Sequence, residues 1–90
     1  MKDWLRRDLL GRFWIVTVPR TDDNKDGVWQ VTCYIDIVTD FNVSVYCTCL
    51  DWLSETFELP IPARIGTLYE SIRIVVYAMV ARARIEYLCS

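Results

Sequence analysis

Ninety residues, 53% of them hydrophobic and 13% aromatic, are enough for one folded domain spanning 1–90 and exclude a disordered or low-complexity chain. The formal net charge is −2, with 10 basic and 12 acidic residues and no histidine, which argues against nucleic acid as a partner because phosphate binding needs a basic field. No run of about 18 apolar residues could span a membrane, and the charged start Met1-Lys2-Asp3-Trp4-Leu5-Arg6-Arg7 does not open a secretory signal, so the expected location is the cytoplasm of a bacterial, archaeal or virus-infected host cell.

Asp3 caps a short expected helix from Trp4 to Leu10, with Gly11 as its stop and Trp4, Leu5 and Leu9 on one face. Arg12 to Val18 is rich in aromatic and β-branched residues and predicts a first strand, ended by Pro19. Arg20 to Gly27 is a loop of turn formers. Within it Asp22-x-Asn24-x-Asp26-Gly27 matches the opening of an EF-hand calcium loop, where oxygens at positions 1, 3 and 5 converge on the ion. The match stops at position 12, which is Cys33 in place of the bidentate glutamate. Asp22, Asn24 and Asp26 are the candidate metal ligands.

The second strand runs from Val28 to Val38 and the third from Val43 to Cys49. Successive side chains alternate faces along a strand. Trp29, Val31, Cys33, Ile35 and Ile37 therefore share an apolar face with Val43, Val45, Cys47 and Cys49. Gln30, Thr32, Tyr34 and Asp36 share the other with Ser44, Tyr46 and Thr48. A three-residue turn over Asp40-Phe41-Asn42, with Asn42 left-handed, sets Cys33 opposite Cys49. A turn two residues longer sets it opposite Cys47. Either register keeps the apolar faces together. Cys33, Cys47 and Cys49 are read as buried thiols, or as partners in a cross-strand disulfide. Cys47-x-Cys49 lacks the two-residue spacing of a zinc knuckle.

Asp51 to Glu58 reads as a connector or one turn of helix, and Pro60 and Pro62 mark an extended link. Thr67 and Glu70 have the spacing of a capping box. Leu68, Ile72, Val75, Val76 and Met79 then form an apolar stripe at helical spacing. Arg82 to Tyr87 alternates polar and apolar, which predicts a helix from Leu68 to about Val80 followed by a short C-terminal strand; one helix running to the end is the alternative. The expected fold is α+β: a short N-terminal helix, a three-stranded antiparallel meander and one long amphipathic helix packed on it. Every residue from Ile74 to Ala81 is apolar, so the far side of that helix needs a further cover, such as a loop, the N-terminal helix or a second copy of the chain.

From Val43 onward the order resembles the YbjN-type domains, relatives of type III secretion chaperones. The matching features are a strand, Leu59-Pro60-Ile61-Pro62, a helix opened by Leu68-Tyr69-Glu70, and a strand at Ala83-Arg84-Ile85-Glu86-Tyr87. The resemblance covers about half the chain. It implies a small, acidic, non-enzymatic, dimeric protein-binding domain.

Catalysis has little support in the residues. Histidine, the usual general base, is missing, no phosphate-binding or nucleophile motif is present, and no cofactor is expected. Asp36, Asp51 and Glu55 are candidates for a carboxylate pair, against the plainer reading of solvated surface acids. The wet face of the hairpin, with Gln30, Thr32, Tyr34, Asp36, Ser44, Tyr46 and Thr48, is the candidate partner-binding surface, since tyrosines in a polar field are common interface anchors. The resulting reading is a chaperone-like or adaptor domain that binds another protein through its sheet or helix face, as a homodimer. Two others stand beside it: a viral or mobile-element inhibitor of a host protein, and a calcium-binding module.

Overall fold

The computed structural model describes residues 7–19, 27–50 and 52–89, with 86–89 described by backbone alone. Four strands form one antiparallel sheet in the order β1 (Phe13–Pro19), β2 (Val28–Val38), β3 (Asn42–Cys49), β4 (Leu53–Pro60). A long helix, Ile65–Cys89, follows and packs on one face. A helical turn at 7–9 precedes β1. It closes with Arg12 N–H donating to Leu9 C=O at 2.9 Å and Gly11 at φ 82°, a conformation glycine adopts without steric cost. Leu9 is buried in the core, whereas Trp4 and Leu5 of the expected helix lie outside the described residues.

The sheet has four strands rather than three. Leu53, Phe57 and Leu59 turn toward the helix, and Ser54, Thr56 and Glu58 turn away. Glu55 interrupts the apolar alternation at an inward position, and that acid hid the strand. Its carboxylate is satisfied by Arg82 of the overlying helix, Nη2 to Oε2 at 2.6 Å. Pro60 does not end the strand early, since it pairs with Asn42 at the tip of an edge. Pro19 occupies the equivalent tip of β1, opposite Val28. Proline costs a sheet least on an edge strand, where a missing N–H breaks no ladder.

The β2–β3 turn differs from both expected forms. Thr39 N–H donates to Asn42 C=O at 2.9 Å, closing two residues, Asp40 and Phe41. Thr39 Oγ1 accepts from the amides of Phe41 and Asn42 at 3.3 and 3.0 Å, so a hydroxyl organises the turn and Asn42 is not left-handed. This turn sets Val38 opposite Val43, one residue out of step with the rest of the ladder. A β-bulge between Ile35 and Ile37 absorbs the slip and leaves Cys33 opposite Cys47. The bulge also moves Ile37 from the expected apolar face to the open one and brings Val38 inward. At the next turn Leu50 takes φ 60°, the one non-glycine residue with positive φ among those described.

The helix starts at Ile65, where Arg64 C=O accepts from Leu68 N–H. Thr67 is therefore inside the first turn and is not the cap. The helix also continues through 82–88, so the expected C-terminal strand does not form. Arginine and alanine are good helix formers, no glycine or proline intervenes, and the buried stripe Leu68, Ile72, Val76, Met79, Val80 extends to Ala83. An alternating tetrad such as Arg82-Ala83-Arg84-Ile85 is too short to tell the two periods apart. Leu68, Ile72, Val76, Met79 and Val80 form one core with Val16, Val31, Cys33, Ile35, Val45 and Cys47 of the sheet. Each such buried side chain contributes about 1.5–3 kcal/mol. Trp14 of β1 meets Tyr69 of the helix with ring centroids 6.3 Å apart and closes that end of the core.

Candidate functional site

One face of the sheet carries the helix and the other carries no element among the described residues. The ladder lays out this open face in rows. Phe13, Tyr34, Tyr46 and Thr56 stand side by side across the four strands, and Ile15, Thr32, Thr48 and Ser54 form the adjacent row. Phe13, Ile15, Tyr34, Ile37 and Tyr46 each remain 41 to 61% exposed. Facing aromatic and β-branched pairs stabilise a sheet by about 0.2–1 kcal/mol each, but these side chains leave most of their outer surface unused.

The expected partner-binding residues separate into three groups. Thr32 and Thr48, with Tyr34 and Tyr46, form two adjacent cross-strand pairs at the centre. Gln30 lies beyond the end of the β2–β3 ladder and pairs only with Thr17, and Asp36 is exposed at the bulge. Ser44 is on this face by register but only 6% exposed, because it donates a hydrogen bond to Glu58 Oε1, at 2.5 Å. Phe13, Ile15 and Thr56 were missed. In Phe13-Trp14-Ile15-Val16 both faces are apolar, so no alternation reveals which side chain is left out.

Cys33, Cys47 and Cys49 are buried free thiols. Cys33 and Cys47 are opposed in the ladder, and Cys47 Sγ donates to Cys33 Sγ at 3.6 Å, beyond the ~2.05 Å of a disulfide. Their closeness has a backbone cause. Ile35 donates its N–H to Arg12 C=O and accepts from Gly11 N–H, so its polar groups face β1. Two residues earlier, Cys33 faces the same way, making Cys33–Cys47 a non-hydrogen-bonded pair of β2–β3, in which side chains lie nearest. The Sγ–Sγ hydrogen bond favours the thiolate of Cys33, whose pKa falls, and the thiol of Cys47, whose pKa rises, with burial adding to the rise at Cys47. Burial alone pushes Cys49 up. Cys49 faces Leu53, which removes the alternative of Cys49 opposite Cys33.

Asp22, Asn24 and Asp26 lie outside the described residues, and so does Asp51. Glu55 is engaged by Arg82 of the overlying helix, and Asp36 is exposed at the bulge of β2. Among the described residues no three acids or cysteines gather where they could hold a metal ion. A shallow depression of about 330 Å³ at the start of the helix is lined by Arg64, Gly66, Thr67 and Glu70. On the far side of the helix Ile74 is 70% and Ile85 63% exposed. Glu70 and Arg73 pair along the helix, and Arg82 ties the helix to Glu55 of β4. No described helix is long and apolar enough to cross a membrane.

Compared with protein-family models, with curated proteins and with solved structures, the chain matches none. Of the segments that carry the YbjN-type resemblance, Leu59-Pro60 is the end of β4 rather than a link, the helix begins at Ile65, ahead of Leu68, and 83–87 is helix rather than strand.

Proposed function

We propose that this protein is a non-enzymatic binding domain that docks another polypeptide on the open face of its sheet. The observation that carries this reading is the exposed row Phe13, Tyr34, Tyr46 with Ile15 and Ile37 beside it. Contiguous apolar surface of this kind is rare where nothing binds, and aromatic anchors within a ring of hydroxyls are the usual composition of a binding surface. The YbjN-type resemblance supports the same class. Glu55, Glu58 and Glu70 are engaged by partners and Cys33, Cys47 and Cys49 are buried, an arrangement that favours binding over catalysis.

The test is affinity capture from the native host with wild-type protein and with Tyr34→Ala/Tyr46→Ala, followed by titration of each polypeptide that differs. The reading expects the double variant to keep its circular dichroism spectrum and to bind at least about a hundredfold more weakly, the loss typical of two anchors. Equal binding by both proteins overturns it.

A further inference from the structure

We infer that the polypeptide docked on the open face is a second copy of this chain, packed sheet to sheet about a two-fold axis parallel to the strands. This rests on the docking reading above and names its occupant.

The first argument is chemical. The two central rows contain Phe13, Tyr34, Tyr46, Thr56, Ile15, Thr32, Thr48 and Ser54, and no charged residue. Two acids border these rows: Glu58, one row out, already holds Ser44, and Asp36 is exposed at the bulge beyond Tyr34. A surface without charge can be laid on its own copy with no like charges brought together and none left buried without a partner.

The second argument is shape. The bulky side chains are on β1 and the small ones on β4, the opposite edge. A two-fold axis parallel to the strands, passing between β2 and β3, places β1 of one copy over β4 of the other. Phe13 then meets Thr56 of the second copy, Ile15 meets Ser54, and Tyr34 meets Tyr46. Large faces small at both edges, and tyrosines pair at the centre. Aligned sheets pack this way about 10 Å apart, rotated by about 30° through their twist.

The third argument is area. Four strands about 4.8 Å apart and some seven residues long present a face of roughly 20 by 23 Å. Its accessible surface, once side-chain relief is included, approaches the ~800 Å² per partner of a standard stable interface.

Light scattering and sedimentation of the full chain test this. Wild type should reach twice the 10.6 kDa chain mass. Thr48→Arg, which sets a charge beside the axis, should stay at the single-chain mass with an unchanged circular dichroism spectrum. Ile15→Glu, at another exposed site, serves the same purpose if the first variant fails to fold. The decisive experiment is a swap. Thr56→Phe fills the space that Phe13 of the other copy needs and should weaken association about tenfold, while Phe13→Thr/Thr56→Phe should restore it to within about threefold. Within one chain these residues are three strands apart, about 14 Å, too far to couple, so rescue reports the contact between copies. The inference is overturned by a single-chain mass up to about 1 mM, by a dimer indifferent to Thr48→Arg or Ile15→Glu, or by a double variant no better than Thr56→Phe. Loss of a different captured polypeptide in Tyr34→Ala/Tyr46→Ala, with wild type at the single-chain mass, removes the second copy and keeps the docking reading.

Discussion

The two faces of this sheet both carry large apolar residues, and these have opposite fates. Val31, Cys33, Ile35, Val45 and Cys47 on the inner face lie under the helix and lose nearly all contact with water, while Phe13, Ile15, Tyr34, Ile37 and Tyr46 on the outer face keep about half of theirs. Hydrophobicity therefore does not by itself mark the core. What separates the faces is the helix from Ile65 to Cys89, which covers one side only. An apolar residue under the helix maintains the fold. One on the open side contributes little to the fold and belongs to the surface proposed for docking.

The contrast can be broken in order of expected effect. Maleimide labelling should read it most strongly. Cys33, Cys47 and Cys49 should react on the order of a thousandfold or more slowly in the folded chain than in urea, since their exposure requires opening the core. Rapid native labelling of Cys33 or Cys47 would place them outside it. Next, Ile35→Ala should cost about 2–5 kcal/mol in urea unfolding, because it leaves a cavity that the tight core cannot close, whereas Ile15→Ala should cost under about 1 kcal/mol at concentrations where copies do not associate. Equal costs would mean that the two faces are equally covered.

Ser44 tests the boundary, since it is on the open face by register yet buried. Ser44→Ala should cost about 1 kcal/mol through the lost hydrogen bond to Glu58, and Glu58→Gln should keep most of it. Tyr34→Ala/Tyr46→Ala should lower the stability of the isolated chain by about 0.2–1 kcal/mol for each of the cross-strand pairs Phe13–Tyr34, Tyr34–Tyr46 and Tyr46–Thr56, with the fold retained and binding weakened about a hundredfold. Arg82→Ala should be smallest, about 0.2–1 kcal/mol and diminishing with salt, because the Arg82–Glu55 pair is about half exposed.

Much of this fold was legible in the residues. The alternation from Val28 to Ile35 and from Val45 to Cys49 and the stripe from Leu68 to Met79 each record a local backbone period, and a period needs no distant partner to be read. β4 was hidden by Glu55, whose place on the inner face makes sense only once Arg82 lies above it. Thr67 and Glu70 have the spacing of a cap, but the helix begins at Ile65, three residues before the expected Leu68. Of the candidate surface, the tyrosine and threonine pairs were visible in the hairpin. Phe13 and Ile15 were not, because every residue from Phe13 to Val16 is apolar.

The repeat of side chains along each element was thus settled by the chain's own order, through the two-residue period of a strand and the 3.6-residue period of a helix. Which side of the sheet became core was settled only when the helix came to rest on it. The register of the two cysteines was settled the same way. A two-residue turn and a bulge each shift the ladder by one, and only their combination, stabilised by packing on the inner face, sets Cys33 against Cys47 and turns Ile37 outward.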